Sequence, residues 1–206
     1  QEMSRGLGDV YKRQSQMRLS ATFESHLSGD PRLSVLFAPG SSNSVIVGMP
    51  NGSTSDSYVS ATTGLTVPGV TDRHVYAQTH PALRGKDVPM VFQTYAEVEF
   101  LKAEAAIRGW ISSSAKEHYD KGVTAAMKML KQLYPASTAI TDAEISAYLA
   151  GPGAYDASKG WEMAMNEYWK ATFLNEYEAY ANWRRTGYPT LTPTGHPNSV
   201  LSLIHI

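Results

Sequence analysis

The chain has 206 residues, of which 42% are hydrophobic and 18% are charged. This composition predicts a folded domain, because disordered chains are poorer in apolar residues and richer in charge. The formal net charge is −1 and the basic residues do not cluster, which argues against a nucleic-acid partner. The chain has no cysteine, which excludes disulfides and thiol nucleophiles, and it has no apolar run of about 18 residues that could span a bilayer.

The two ends of the chain lack the patterns of a folded sequence. Residues 1–14 show neither helical nor strand periodicity, and residues 201–206 form an apolar tail that no turn or cap introduces. We expect both ends to be non-native read-through and residues 15–200 to be part of a larger domain. Within that part we expect a helix and a long loop over residues 15–90, followed by a helical region over residues 91–190.

The first predicted element is a short amphipathic helix. Leu19, Phe23 and Leu27 recur at helical spacing. Asp30 and Pro31 should end the helix, because the residue before a proline avoids the α region.

A long polar loop is predicted next. Of the 34 residues from 39 to 72, 24 are Gly, Pro, Ser, Thr, Asn or Asp, and the pattern favours a strand only at Val45–Val47. A loop of this length inside a domain is usually functional, mobile or packed against another segment. Flat rings with polar tips stack on sugars and on peptide side chains. Tyr58, His74 and Tyr76 are therefore the candidate ligand-binding residues.

A helix is predicted over Phe92–Gly109. Two apolar stripes run along it, which predict two packing partners. A narrow polar seam separates the stripes, and Glu104 lies one turn before Arg108 as a favourable ion pair. The first stripe consists of Val98, Leu101 and Ala105, the second of Phe100, Ala103, Ile107 and Trp110, and the seam of Glu97, Glu104 and Arg108.

Local signals also predict where the later helices begin and end. Ser114 and Thr141 are each followed by a glutamate three residues on, which is the capping-box pattern that starts a helix. The helix after Ser114 should end at Pro135. A last helical stretch should run from about Ser158 to Thr186 with a break near Asn175.

The C-terminus of this last stretch has two further signals. Arg184 and Arg185 place positive charge where the helix dipole favours it. Gly187 stands where a left-handed cap is expected.

The first two long helices should form a hairpin. Ala115, Tyr119 and Gly122 partly match the second helix of a tetratricopeptide repeat, in which small residues allow close helix contact. No second copy occurs at that period, so a lone pair must pack against other structure.

No catalytic residue, metal site or cofactor is predicted. The usual nucleophile, phosphate-loop and metal-binding motifs are absent from the sequence. Glu97 and Glu104 share a helical face but lie two turns apart, about 11 Å. That distance exceeds the roughly 5–9.5 Å between glycosidase carboxylates. His74 and His80 have no companion ligands nearby, and His118 is expected on a helix surface with no special role.

Four segments taken in order resemble the SusD/RagB-like outer-membrane lipoproteins. The resemblance covers about residues 16–193 and corresponds to the central and C-terminal part of that family. It implies a mainly α-helical SusD-like fold with a tetratricopeptide-like helix pair and long irregular loops. The segments are Asp30-Pro31-Arg32-Leu33, Val47–Gly52, Thr94–Ala106 with Arg108-Gly109-Trp110, and Tyr177–Pro189.

The resemblance also implies a function. It predicts non-enzymatic binding of nutrient oligosaccharides or peptides on the outer face of the outer membrane, and their delivery to a SusC-like TonB-dependent transporter. A lipid anchor outside this stretch would be the contact with the membrane. No ligand-binding residue carries over from the family. The motif residues Glu97, Glu104, Arg108, Arg184 and Arg185 are expected to form structural ion pairs.

Two other function classes stay open at this point. A helical-repeat module that binds a protein partner would need three or more helix pairs at a period of about 34 residues. A glycan-active enzyme would need two carboxylates within about 10 Å in a cleft.

Overall fold

The computed structural model describes residues 17–53, 58–59, 66–67, 73–84 and 88–194. The expected read-through ends therefore lie outside the described residues. The elements confirm the mainly α-helical prediction. In chain order they are α1 (Ala21–His26), α2 (Arg32–Leu36), β1 (Phe37–Ala38), β2 (Tyr58–Val59), β3 (Thr66–Val67), β4 (Gln78–Thr79), α3 (Tyr95–Ile107), α4 (Ala115–Leu133), α5 (Asp142–Ala150), α6 (Gly160–Ala171) and α7 (Glu176–Thr186).

The chain divides into two units. We call the first the loop unit; its described residues fall within residues 1–26, 37–80 and 191–206. We call the second the helical unit, which comprises residues 27–36 and 81–190.

The short helix α1 confirms the first predicted element. Ser20 caps it, because the Ser20 hydroxyl accepts the N–H of Phe23 at 3.1 Å. Leu19 and Phe23 are buried in the loop unit, and the Phe23 ring packs edge-on against Phe37 with centroids 5.9 Å apart.

The described part of the loop unit also contains two short antiparallel strand pairs. β1 pairs with β4, with Phe37 opposite Thr79, and β2 pairs with β3, with Tyr58 opposite Val67. The strand predicted at Val45–Val47 is wrong. The side chain of Asn43 accepts the N–H of Val45 at 3.2 Å. This local turn takes up a donor that a strand ladder would need.

The chain passes close to α1 at Gly48, and only glycine fits there. A Cβ on Gly48 would lie 2.7 Å from the Cα of Ala21. The N–H of Gly48 donates to the Glu24 carboxylate at 2.8 Å. The polar loop is thereby held against α1 at this point.

In the helical unit, α3 begins at Tyr95, three residues later than predicted. The hydroxyl of Thr94 accepts the N–H of Glu97 at 3.2 Å and so caps the helix. Phe92 precedes this cap and is 82% exposed. The cap therefore decides the start, although the apolar pattern extends further back.

The prediction of two packing partners for α3 is confirmed, because α3 packs against both its hairpin partner α4 and α6. Phe100 and Ala103 are fully buried, and the Phe100 ring lies beside Tyr119 of α4 and Tyr168 of α6. Leu101, from the other stripe, is 42% exposed, and Trp110 at the end of the hairpin is 69% exposed. The helices approach closely because Gly122 has no side chain; a Cβ there would lie 2.7 Å from the Phe100 ring.

The predicted starts of α4 and α5 are confirmed. Ser114 caps α4, and Thr141 forms the complete capping box with Glu144 at the start of α5. One face of α4 is buried, and it consists of Tyr119, Val123, Ala126, Met127 and Leu130.

The last helical stretch is divided as predicted. α6 ends at Ala171 and α7 begins at Glu176, so the break falls at Asn175. Gly187 ends α7 with φ of 76°, in the left-handed conformation expected of it. The helical hairpin is confirmed, and its tetratricopeptide-like character stays a prediction.

Candidate functional site

The candidate ligand residues belong to the loop unit. His74 lies on the exposed turn Arg73–Val75, and its Nδ1 is 3.2 Å from the Ser41 hydroxyl. Tyr76 follows two residues later and is half-buried. Tyr58 lies in β2, but its side chain lies outside the described part of the structure. A common site of His74, Tyr76 and Tyr58 therefore stays a prediction.

The two glutamates of the expected polar seam are buried in the helical unit. Glu97 and Glu104 are each 4% exposed, so they face the interior of the unit. Glu97 accepts a hydrogen bond from the Thr94 hydroxyl at 2.9 Å, and burial raises the pKa of its carboxyl group. Neither carboxylate lies on a surface where a sugar could reach it.

Glu104 joins two helices through two arginines. Its Oε1 lies 2.9 Å from Arg108 Nε and 2.6 Å from Arg185 Nη1. The Arg108 guanidinium also lies over the rings of Trp110 and Trp161, at 5.1 and 4.6 Å from their centroids. These contacts connect the ends of α3, α6 and α7.

Arg184 makes a different contact from its neighbour. Its guanidinium lies over the Tyr180 ring, 5.9 Å from the centroid, on the exposed side of α7.

The helical unit contains a buried cluster of charged side chains that we call the ionic cluster. It consists of Asp30, Arg32, Tyr148, Glu167 and Lys170. Arg32 Nη2 lies 2.5 Å from Asp30 Oδ2 and 2.7 Å from Glu167 Oε2. Lys170 Nζ pairs with Glu167 and lies 3.3 Å from Asp30 Oδ2. The Tyr148 hydroxyl donates to Glu167 Oε1 at 2.6 Å.

The ionic cluster is neutral overall, with two carboxylates and two cations. Each of the four charged side chains is at most 5% exposed. Burial disfavours the charge on Arg32, but Glu167 and Asp30 outweigh this effect and raise the pKa of the guanidinium. Burial, followed by the neighbouring Glu167, raises the pKa of Tyr148. The Arg32 guanidinium therefore stays charged and the Tyr148 hydroxyl stays protonated.

The ionic cluster bears on the alternative of a glycan-active enzyme. Asp30 and Glu167 bind the same nitrogen of Arg32, so the two carboxylates lie close together, as a glycosidase pair must. Both carboxylates are buried and neutralised by cations. A structural role therefore fits this pair better than acid–base work on a sugar.

Lowering the pH should weaken the helical unit through Glu167. Burial would raise the pKa of this carboxyl group from 4.5, but Arg32 and Lys170 lower it to about 2. Between these two pH values the unfolded chain binds a proton that the folded chain does not. The contribution of ionised Glu167 to the free energy of unfolding should therefore be complete above about pH 4.5. It should decrease as the pH falls toward about 2.

Urea unfolding across this pH range would measure the effect. Glu167→Gln should show a shallower pH dependence than the wild type, because the titrating carboxyl group is gone. Equal slopes for the two proteins would contradict the assignment to Glu167.

A small cleft lies beside the ionic cluster. Its lining includes Arg32, Glu97 and Lys170 together with apolar residues of α4. It has room for about one water molecule, whereas pockets for drug-sized ligands reach about 300–1,000 Å³. It is too small for a sugar ring.

The described ranges contain neither a metal-binding cluster nor a membrane-spanning helix. No group of three or more His, Cys, Asp or Glu side chains there could hold a metal ion. No helix in the same part of the chain is long and apolar enough to cross a membrane.

Sequence reasoning missed the ionic cluster and the surroundings of His118. Glu167 and Lys170 lie on the buried side of α6 together with Ala164 and Tyr168, and this charge within an apolar stripe was the available signal. The expectation that His118 is an ordinary surface residue is wrong. It is half-buried, and Nδ1 lies 2.7 Å from the buried carboxylate of Glu99.

Comparison with known proteins defines the class of the protein. The family model described as SusD-like, "Starch-binding associating with outer membrane", matches residues 3–202. The chain therefore belongs to the SusD-like family, in agreement with the resemblance of its motifs. No functionally curated protein matches the chain significantly.

Solved structures support this assignment. A chitin-binding protein is 31% identical over 88% of the chain, with a TM-score of 0.73. A SusD-like protein from Bacteroidetes AC2a is 36% identical over 63% of the chain, with a TM-score of 0.57. A SusD homologue from Bacteroides vulgatus ATCC 8482 is 25% identical over 88% of the chain, with a TM-score of 0.65. The chain spans only 40%, 26% and 39% of the lengths of these three proteins.

Proposed function

We propose that this protein binds nutrient oligosaccharides at the cell surface and passes them on unchanged. The similarity to a chitin-binding protein, at 31% identity over 88% of the chain, carries this proposal. Membership of a family described as starch-binding supports the same ligand class. Peptides are the second ligand class, because aromatic surfaces that stack on sugars also accept peptide side chains.

The proposed location is the outer face of the outer membrane. The description of the family as associating with the outer membrane supports it. In the proposed arrangement a lipid anchor holds the protein at the membrane, and a SusC-like TonB-dependent transporter receives the ligand.

The proposed binding surface is the part of the loop unit that carries His74, Tyr76 and Tyr58. His74 is exposed, and Tyr76, two residues later, is half-buried. The small cleft of the helical unit cannot hold a sugar. Binding on an open surface by stacking and hydrogen bonding fits these observations better than binding in a pocket.

Replacing Tyr76 with alanine should weaken glycan binding about threefold to tenfold, since stacking on one aromatic ring contributes roughly 0.5–1.5 kcal/mol. The protein from the longest reading frame that contains this chain should be titrated calorimetrically. The ligands are soluble chitin oligosaccharides, maltooligosaccharides and a peptide mixture. His74→Ala should weaken the same interaction.

Tyr177→Ala is the matched control, because Tyr177 is a 91% exposed tyrosine of the helical unit. It should bind like the wild type. If none of the three ligand classes binds, the proposed function is wrong. If a glycan binds but Tyr76→Ala and Tyr177→Ala behave alike, the function stands and the proposed site is wrong.

A protein-interaction module is the second candidate, because the hairpin has exposed apolar side chains. Phe92, Leu101 and Trp110 are 82%, 42% and 69% exposed. Apolar surface of this kind often marks a contact with another protein surface. A full reading frame with three or more helix pairs at a period of about 34 residues would favour this candidate.

A further inference from the structure

Three side chains meet where the connection after α3 leads into α4. The hydroxyl of Ser113 lies 2.8 Å from His118 Nε2. On the other side of the same ring, Nδ1 lies 2.7 Å from Glu99 Oε2. Ser113 is exposed, His118 is half-buried and the Glu99 side chain is 2% exposed. A hydroxyl at the surface is thus linked through an imidazole to a buried carboxylate.

The state of Glu99 determines which nitrogen of His118 carries the proton. Burial would raise the pKa of Glu99, but hydrogen bonds from Lys102, His118 and Tyr95 lower it to about 2. An ionised carboxylate only accepts hydrogen bonds, so Nδ1 must be the donor. In the neutral ring, Nε2 then presents its lone pair to the Ser113 hydroxyl.

The surroundings of Ser113 suit a reacting carbonyl group. Ser113 directly precedes Ser114, the residue that caps α4. The first-turn amides of a helix have no partner within the helix and form its positive end, which favours a developing negative charge. Trp110 and Ile111 of the same connection are 69% and 39% exposed, and they offer apolar surface to an acyl group.

We propose that Ser113 is a nucleophile that His118 and Glu99 activate, and that its substrates are acyl esters. The arrangement has the connectivity of serine hydrolases, in which Nε2 faces the hydroxyl and Nδ1 faces the carboxylate. This proposal does not depend on the proposed glycan binding. In that function the oligosaccharide is bound and passed on without a reaction.

The reaction proceeds in two balanced steps. The Ser113 oxygen attacks the ester carbonyl carbon while its proton moves to His118 Nε2. The bond from the carbonyl carbon to the alcohol oxygen breaks, and the alcohol leaves with the proton from Nε2. Water then attacks the acyl-serine and gives a proton to Nε2. Return of this proton to the Ser113 oxygen releases the carboxylic acid.

The roles differ among the three residues. Ser113 and His118 touch the reacting atoms and are the catalytic residues. Glu99 acts through His118 and is a positioning residue. The same three contacts would also hold the turn before α4 in place, so the test must detect reactivity and not only stability.

The experiment uses the protein from the longest reading frame that contains this chain, incubated with a fluorophosphonate probe. Mass spectrometry should find one adduct on Ser113, and urea-unfolded protein should carry none. Ser113→Ala should abolish the adduct. Ser112→Ala, at the neighbouring exposed serine, is the matched control and should be labelled at the wild-type rate. His118→Ala should slow labelling about 10²–10⁴-fold, the usual contribution of a general base.

Glu99→Gln tests the positioning role. Labelling should slow, and the midpoint of its pH–rate profile should move to lower pH, because the imidazolium loses the carboxylate that stabilises it. A purely structural role would leave that midpoint unchanged. Absence of an adduct on the folded protein, or an adduct that persists in Ser113→Ala, would overturn the proposal.

Discussion

Replacing Arg32 with methionine should destabilise the helical unit by about 3–5 kcal/mol, the usual cost of removing one partner from a buried ion pair. Arg32 binds both Asp30 and Glu167, whose side chains are 0% and 3% exposed. In the variant these two carboxylates would share only the single charge of Lys170. The methionine fills much of the volume, so the effect comes from uncompensated charge and not from a cavity.

Urea unfolding of the wild type and the variant at neutral pH would measure this effect. Lys128→Met is the matched control, because Lys128 pairs with Asp142 at 2.8 Å on the surface, where both side chains are at least half exposed. It should change the free energy of unfolding by less than about 1 kcal/mol. If the two variants lose similar stability, the ionic cluster does not hold the helical unit together.

Truncating Phe100 to alanine should cost about 3–5 kcal/mol, because it removes a large buried ring and leaves a cavity. Phe100 is fully buried. Its ring centroid lies 6.4 Å from those of Tyr119 and Tyr168, and Gly122 brings the α4 backbone against it. The surrounding rings and backbone have little freedom to close the space.

Leu101→Ala provides the control on the same helix. Leu101 is the next residue, points to the other stripe and is 42% exposed. Its truncation should cost much less than that of Phe100, and thermal unfolding of both variants would show the difference. Equal losses would mean that the second stripe of α3 is packed as well, as the apolar pattern predicts.

Local sequence signals predicted the helices well. Ser114 and Thr141 start α4 and α5, and Gly187 ends α7, because each cap satisfies backbone groups within a few residues of itself. The same kind of signal was missed at Thr94, where the apolar pattern suggested an earlier start. The irregular loop was harder, since the Asn43 side chain and not hydrophobic periodicity decides the conformation at Val45.

Burial of charge could not be predicted from spacing. The spacing places Glu97 and Glu104 in a polar seam between two apolar stripes, and it does not show that both are buried in the helical unit. A charged side chain is buried when partners from elsewhere in the chain compensate it. For Glu104 one such partner is Arg185, which is 81 residues away in sequence.

The sequence by itself determined the helical fold class, most of the helix caps and the membership of the SusD-like family, because these depend on local periodicity, local hydrogen bonds and ordered motifs. Only the tertiary structure decided which charges from distant parts of the chain meet. Arg32 and Glu167 are 135 residues apart, and Asp30 and Lys170 are 140 apart. Ser113, His118 and Glu99 likewise come together only because α3 and α4 form a hairpin. Such contacts depend on how whole helices pack together, and the local sequence pattern does not predict that packing.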